Sequence, residues 1–110
     1  MKILLDENID VRFSRNFPSE HEVFTVKDMG WNGIRNGELL KLLRENKFDY
    51  WIVVDKNIPY QQNIKDLPFS IIVLDVYRNT LKSLAPFIPA ILDVFINSVK
   101  GEVVVLEEGN

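Results

Sequence analysis

Four aspartates, Asp6, Asp28, Asp55 and Asp75, each stand at or just beyond a short apolar run. Asp6 closes Ile3-Leu4-Leu5, Asp28 lies two residues past Val26, Asp55 closes DYWIVV and Asp75 closes FSIIVL. A lone Asp in such a place is a cap or turn former. Several carboxylates gathered at one edge repel each other unless positive charge lies between them. A hard divalent cation, held by one or two carboxylates and several waters, is the usual solution. Mg²⁺ or Mn²⁺ so held lowers the pKa of a bound water and neutralises charge on a phosphate oxygen.

Further polar residues cluster around the same runs. Glu7 is either a ligand or a first-turn acid, and Glu38 either a functional acid or the complement of a helix dipole. Lys56 and Arg78 follow apolar runs and could meet a substrate phosphate, or be solvated loop charges. Asn8, Asn57, Gln61 and Gln62 complete the substrate-contact candidates. Tyr60-Gln61-Gln62-Asn63 is a polar patch suited to stacking and hydrogen bonding with a single strand, or a local helix. Trp31 is either a nucleotide platform or a packing residue; mid-strand Trp51 belongs to the core. His21, the only histidine, precedes a strand on the edge opposite the acids and reads as surface structure.

Composition narrows the options. The 110 residues fit one domain, and the 46% hydrophobic share is that of a globular core. With no cysteine, disulfides, thiolate zinc sites and thiol nucleophiles are excluded, and a reducing cytoplasm is the expected setting. The net charge of −3 argues against a passive DNA-binding module, though not against a nuclease that recruits a metal. The apolar run in MKILLDENID is too short for a signal peptide or membrane span.

The elements that must position these residues follow from periodicity. Ile3–Leu5, Glu22–Val26, Asp49–Val54, Phe69–Leu74 and Glu102–Leu106 read as strands. Ile9, Phe13 and Phe17 recur at helical spacing, with Asn8 as cap and Pro18 as stop. Lys27–Gly37 reads as a loop. Asn36 is the expected cap of a helix whose stripe is Leu39, Leu40, Leu42 and Leu43. Lys56–Leu67 reads as a polar connection, and Leu81–Val99 as a helix that Pro86 and Pro89 kink or split. Strands alternating with helices predict a single-domain α/β fold: a mainly parallel five-stranded sheet with helices on both faces. Its carboxyl edge would then carry the aspartates, where open parallel sheets bind ligands.

Lys2-Ile3-Leu4-Leu5-Asp6-Glu7-Asn8, His21-Glu22-Val23 through Gly30-Trp31 with Gly33, Asn36-Gly37-Glu38-Leu39-Leu40, and Asp55-Lys56-Asn57 with Tyr60-Gln61-Gln62-Asn63 together resemble small bacterial PIN-like proteins of the DUF5615 type, related to the Mut7-C PIN domains. The resemblance spans nearly the whole chain and is most specific at LDEN and QQN. It implies a PIN-like fold, often a dimer, and a Mg²⁺- or Mn²⁺-dependent ribonuclease of the kind grouped with toxin–antitoxin toxins. Position by position it makes Asp6, Glu38 and Asp55 the catalytic and metal-binding acids, with a looser match at Asp75. RNA would be the substrate and an antitoxin protein the partner. The chain is shorter than a typical PIN toxin, which leaves a non-catalytic PIN-like binding protein as the main alternative. A phospho-acceptor receiver domain is the other: Asp6, Glu7 and Asp55 suit its outline. Asp75 and Glu107, however, stand where receivers place a hydroxyl and a lysine.

Overall fold

The computed structural model describes residues 1–58 and 67–109. Its strands are β1 (Lys2–Leu5), β2 (Glu22–Thr25), β3 (Tyr50–Val53), β4 (Ser70–Asp75) and β5 (Val103–Glu107). All neighbours pair in parallel, in the order β2-β1-β3-β4-β5. The expected architecture is thus present, each strand within a residue or two of its predicted bounds. The apolar runs are continuous because both faces are covered. Ile3, Leu5, Tyr50, Ile52, Ile72 and Leu74 face one layer, while Leu4, Trp51, Val53, Ile71 and Val73 face the other.

The first layer contains a 3-10 helix (Val11–Asn16), α3 (Leu81–Leu84), a 3-10 turn (Ala85–Phe87) and α4 (Ile88–Asn97). Ile9, Phe13 and Phe17 are all buried, as their spacing requires. The element is nevertheless a 3-10 helix that starts later than expected. Asp10, not Asn8, caps it, accepting from the Arg12 backbone N–H at 2.9 Å. The Arg12 guanidinium also grips Asp10, at 2.6 Å, and holds its carboxyl down at about 2. Pro86 and Pro89 sit in the first turns of their segments, where a missing N–H costs nothing, and so the long helix is divided.

The second layer holds α1 (Val26–Met29) and α2 (Asn36–Glu45). The first lies in the stretch expected to be loop. A capping box forms it: Asp28 N–H donates to Thr25 Oγ1 at 3.0 Å, and Thr25 N–H to the Asp28 carboxylate at 2.9 Å. Gly30, at φ +73°, ends it. Arg35 rather than Asn36 occupies the cap position of α2, with no side-chain cap bond.

Helix α2 ends in a Schellman motif, with Phe48 N–H bonded to Leu43 O at 3.0 Å and Lys47 N–H to Arg44 O at 3.2 Å. Lys47 holds the left-handed position, at φ +58°, that glycine normally takes. Lys47→Gly is therefore expected to stabilise the protein by roughly 0.5–1 kcal/mol, seen as a higher urea midpoint at unchanged slope.

Candidate functional site

Because every strand runs the same way, all strand ends meet at one edge. The chain leaves β1 toward β2 on one side and toward β3, β4 and β5 on the other. The direction of winding therefore reverses between β1 and β3, and a crevice opens there in sheets of this order. Asp6 and Asp55 follow these two strands. The Asp6 backbone N–H continues the ladder, donating to Ile52 O at 3.0 Å.

Asp6 is 6% exposed, the one buried carboxylate among the described residues. Burial pushes its carboxyl above the ordinary range; the backbone amides of Glu7 and Asn8 oppose this, and the charges of Glu7 and Asp55 add to it. Asp55 is half-buried, its Oδ1 accepting from Asn57 N–H at 2.9 Å in a tight turn. That turn holds Lys56 at the rim, where its ammonium lies 3.2 Å from Asp75. Asp75 is thus an anchor for Lys56. It also lies beside Glu107 in the β4–β5 register.

The remaining candidates separate. Asp28 is consumed by its capping box. Glu38 is exposed in the first turn of α2. Among the described residues no three His, Asp or Glu side chains stand close enough to hold a metal, so Asp6, Asp55 and Glu38 do not form a ready-made ligand trio. Asn8 lies in the turn after Asp6 and its carbonyl accepts from Asn79 Nδ2 at 2.7 Å. Arg78 and Asn57 are exposed. Gln61 and Gln62, with Tyr60 and Asn63, lie outside the described residues. Trp31 packs edge-to-face on Phe48, centroids 5.9 Å apart. His21 packs on Phe95 at the opposite edge, as expected.

No family model, curated protein or solved structure matches this chain.

Sequence reasoning missed two features. One is Tyr77, 91% exposed two residues beyond Asp75. Its signal was an aromatic residue immediately before Arg78. The other is a groove of about 670 Å³ between α3, α4 and the end of β5, lined by Lys82, Phe87, Pro89 and Glu107 among others. It contains none of the candidate residues. Among the described residues no helix is long and apolar enough to cross a membrane.

Proposed function

We propose that this protein is a metal-dependent endoribonuclease of PIN-like type, with Asp6 and Asp55 holding one Mg²⁺ or Mn²⁺. The observation that carries the reading is a buried carboxylate at the reversal point of the sheet, desolvated and within electrostatic reach of a second acid. Such a group costs stability unless a cation or a proton accompanies it. Two carboxylates suffice for Mg²⁺, which keeps several waters and takes substrate oxygens as further ligands. When bound, the ion supplies a water of lowered pKa and neutralises charge on the phosphate.

The chain's own residues do the rest. The Glu7 and Asn8 backbone amides favour the charged Asp6 carboxylate and offset part of its burial. The Asn57 turn orients Asp55, and Asp75 holds the Lys56 ammonium at the rim, where it can meet a phosphate oxygen. Glu38, exposed in the first turn of α2, would act from outside this pair. An antitoxin partner and a homodimer belong to the same reading. The apolar side of α4 (Ile91, Val94, Phe95) packs on the sheet and leaves Ile96 exposed for any such contact.

The test is a calorimetric titration of the purified protein with Mn²⁺, alongside cleavage of single-stranded RNA with and without chelator. Binding of one ion and chelator-sensitive cleavage are expected. Absence of both would leave the non-catalytic PIN-like binding protein as the better reading.

The receiver-domain alternative draws support from the strand order, which flavodoxin-like sheets share. Against it, β4 ends in Asp75, engaged with Lys56, and β5 ends in Glu107. Failure of acetyl phosphate to label Asp55 is the expected result.

A further inference from the structure

Strand β5 closes one side of the sheet, and no strand pairs with its outer edge among the described residues. Ile71 N–H donates to Glu102 O at 2.9 Å, and Glu108 N–H to Asp75 O at 3.3 Å. Backbone groups alternate in direction along a strand, so Val104 and Leu106 also turn theirs to β4. The N–H and C=O groups of Val103, Val105 and Glu107 therefore face outward. Open edges are normally blunted by lysine, proline or a bulge. This strand reads Val-Val-Val-Leu-Glu and pairs with β4 residue for residue, so it has none of these. The other edge strand, β2, is shorter and opens on exposed Glu22. Exposed apolar side chains also gather along β5. Val99, 66% exposed, precedes it, and Val105, 52% exposed, is its middle residue. Tyr77, 91% exposed, is tied by its N–H to Glu108 Oε1, just past its end.

We infer that this edge pairs with the same edge of a second copy of the chain, antiparallel and about a two-fold axis at Val105. The outward groups lie symmetrically about that residue, and a two-fold there uses all of them. Val105 bonds its own counterpart, and Val103 bonds Glu107 of the second copy. The faces match as well. Val104 and Leu106 pack on the α4 layer and stand opposite each other across the pair, so one apolar layer continues into the next. Charge selects the direction. Glu107 and Glu108 lie at the carboxyl end of β5, and Lys100 just before its amino end. Antiparallel pairing brings the lysine of each copy toward the acids of the other, whereas parallel pairing sets Glu107 against Glu107. Lys100 is 69% exposed, and its 3.6 Å contact with Asp49 leaves it able to turn outward. Glu102, the acid at the amino end, faces the Val99 N–H at 3.4 Å. The same order carries Tyr77 of one copy toward Val99 of the other. This edge is two strands away from β3 and the crevice beside it, and the pairing stands independently of the nuclease reading.

The experiment is sedimentation equilibrium of the full chain, wild type beside Val105→Lys and Val105→Thr. The wild type should be a reversible dimer. Val105→Lys sets two ammonium groups side by side at the axis and should weaken the dimer about tenfold or more. Val105→Thr, another β-branched strand former, should keep it. The chain has no cysteine, so Val105→Cys is a clean probe of the register. Hydrogen-bonded antiparallel partners have Cα atoms about 5.5 Å apart, within disulfide reach, and mild oxidation should link the two copies. Val11→Cys, at a position 49% exposed on the 3-10 helix, should not link. A wild type that is monomeric at every concentration overturns the pairing. So does a dimer that Val105→Lys leaves intact and Val105→Cys fails to link, or one lost instead in Ile96→Asp, which would place the contact on α4. Should Val105→Lys not fold by circular dichroism, the Val105→Cys link decides. The nuclease is read separately. A monomeric Val105→Lys that cleaves RNA with Mn²⁺ keeps that reading, and a linked dimer that neither binds Mn²⁺ nor cleaves keeps the pairing and removes it.

Discussion

Asp6→Asn is expected to lose Mn²⁺ binding and RNA cleavage while giving a more stable protein in the presence of chelator. Loss of a direct ligand should exceed the 10–100-fold cost of an outer-shell change, so cleavage should fall by at least about 100-fold. The gain in stability comes from burial. The Asp6 carboxylate is desolvated and lies near Glu7 and Asp55, and its pKa is raised. Between the ordinary value and the raised one, the folded state binds more protons than the unfolded state. Metal-free wild type therefore loses stability as pH rises through that window and is most favoured below it. An asparagine keeps an oxygen for the Glu7 and Asn8 amides without the charge. It should remove that pH dependence and add on the order of 1 kcal/mol at neutral pH. Mn²⁺ should raise the melting temperature of the wild type, by about 2.7 kcal/mol of stability at 100 times Kd, and leave the variant unmoved. Thermal melts across pH, with and without Mn²⁺, read all of this. A variant less stable than wild type at every pH would refute the burial argument.

Trp51→Ala should cost about 3–5 kcal/mol, a large share of the stability of a small domain. Trp51 is fully buried at the middle of β3, flanked by Leu4 on β1 and Ile71 on β4, and its ring faces the α2 layer. Truncation leaves a cavity that two neighbouring strands cannot close. The urea midpoint should drop by roughly 2 M. Trp51→Phe should cost much less. It keeps an aromatic ring in the layer and removes an indole N–H that has no hydrogen-bond partner among the described residues. If the two variants were equally destabilised, the indole nitrogen would have to be bonded after all.

The fold was legible because a buried parallel strand leaves a plain trace. Ile3-Leu4-Leu5 and the other apolar runs are continuous, with an acid or turn at their ends, and each became a strand. Local hydrogen-bond competition was not legible. Asp28 follows a strand just as Asp6 does, yet Thr25 three residues earlier turns it into a cap. Asp10 took the capping role assigned to Asn8 because Arg12 fixes it from the other side. At the site, the position of Asp6 and Asp55 could be read from strand logic, since only topology was needed. That Asp75 anchors Lys56 depends on a contact between loops of adjacent strands, which no pattern along the chain encodes. Tyr77 went unnoticed because exposure belongs to the folded surface, not to residue type.

Strand β1 has its partners on both sides, and they are made at different times. Glu22–Thr25 follows soon after it, whereas the contacts of Lys2 with Asp49 join residues 47 apart. During synthesis, Ile3-Leu4-Leu5 has only half its pairing until Val53 has emerged. The helix-rich layers cannot shorten that wait, since the centre of the sheet closes only through long-range contacts. Folding slower than that of a helical bundle of the same length follows, because distant pairings must close before they stabilise the chain. A chain stopped before Tyr50 would carry an apolar strand with one open edge, a ready template for aggregation.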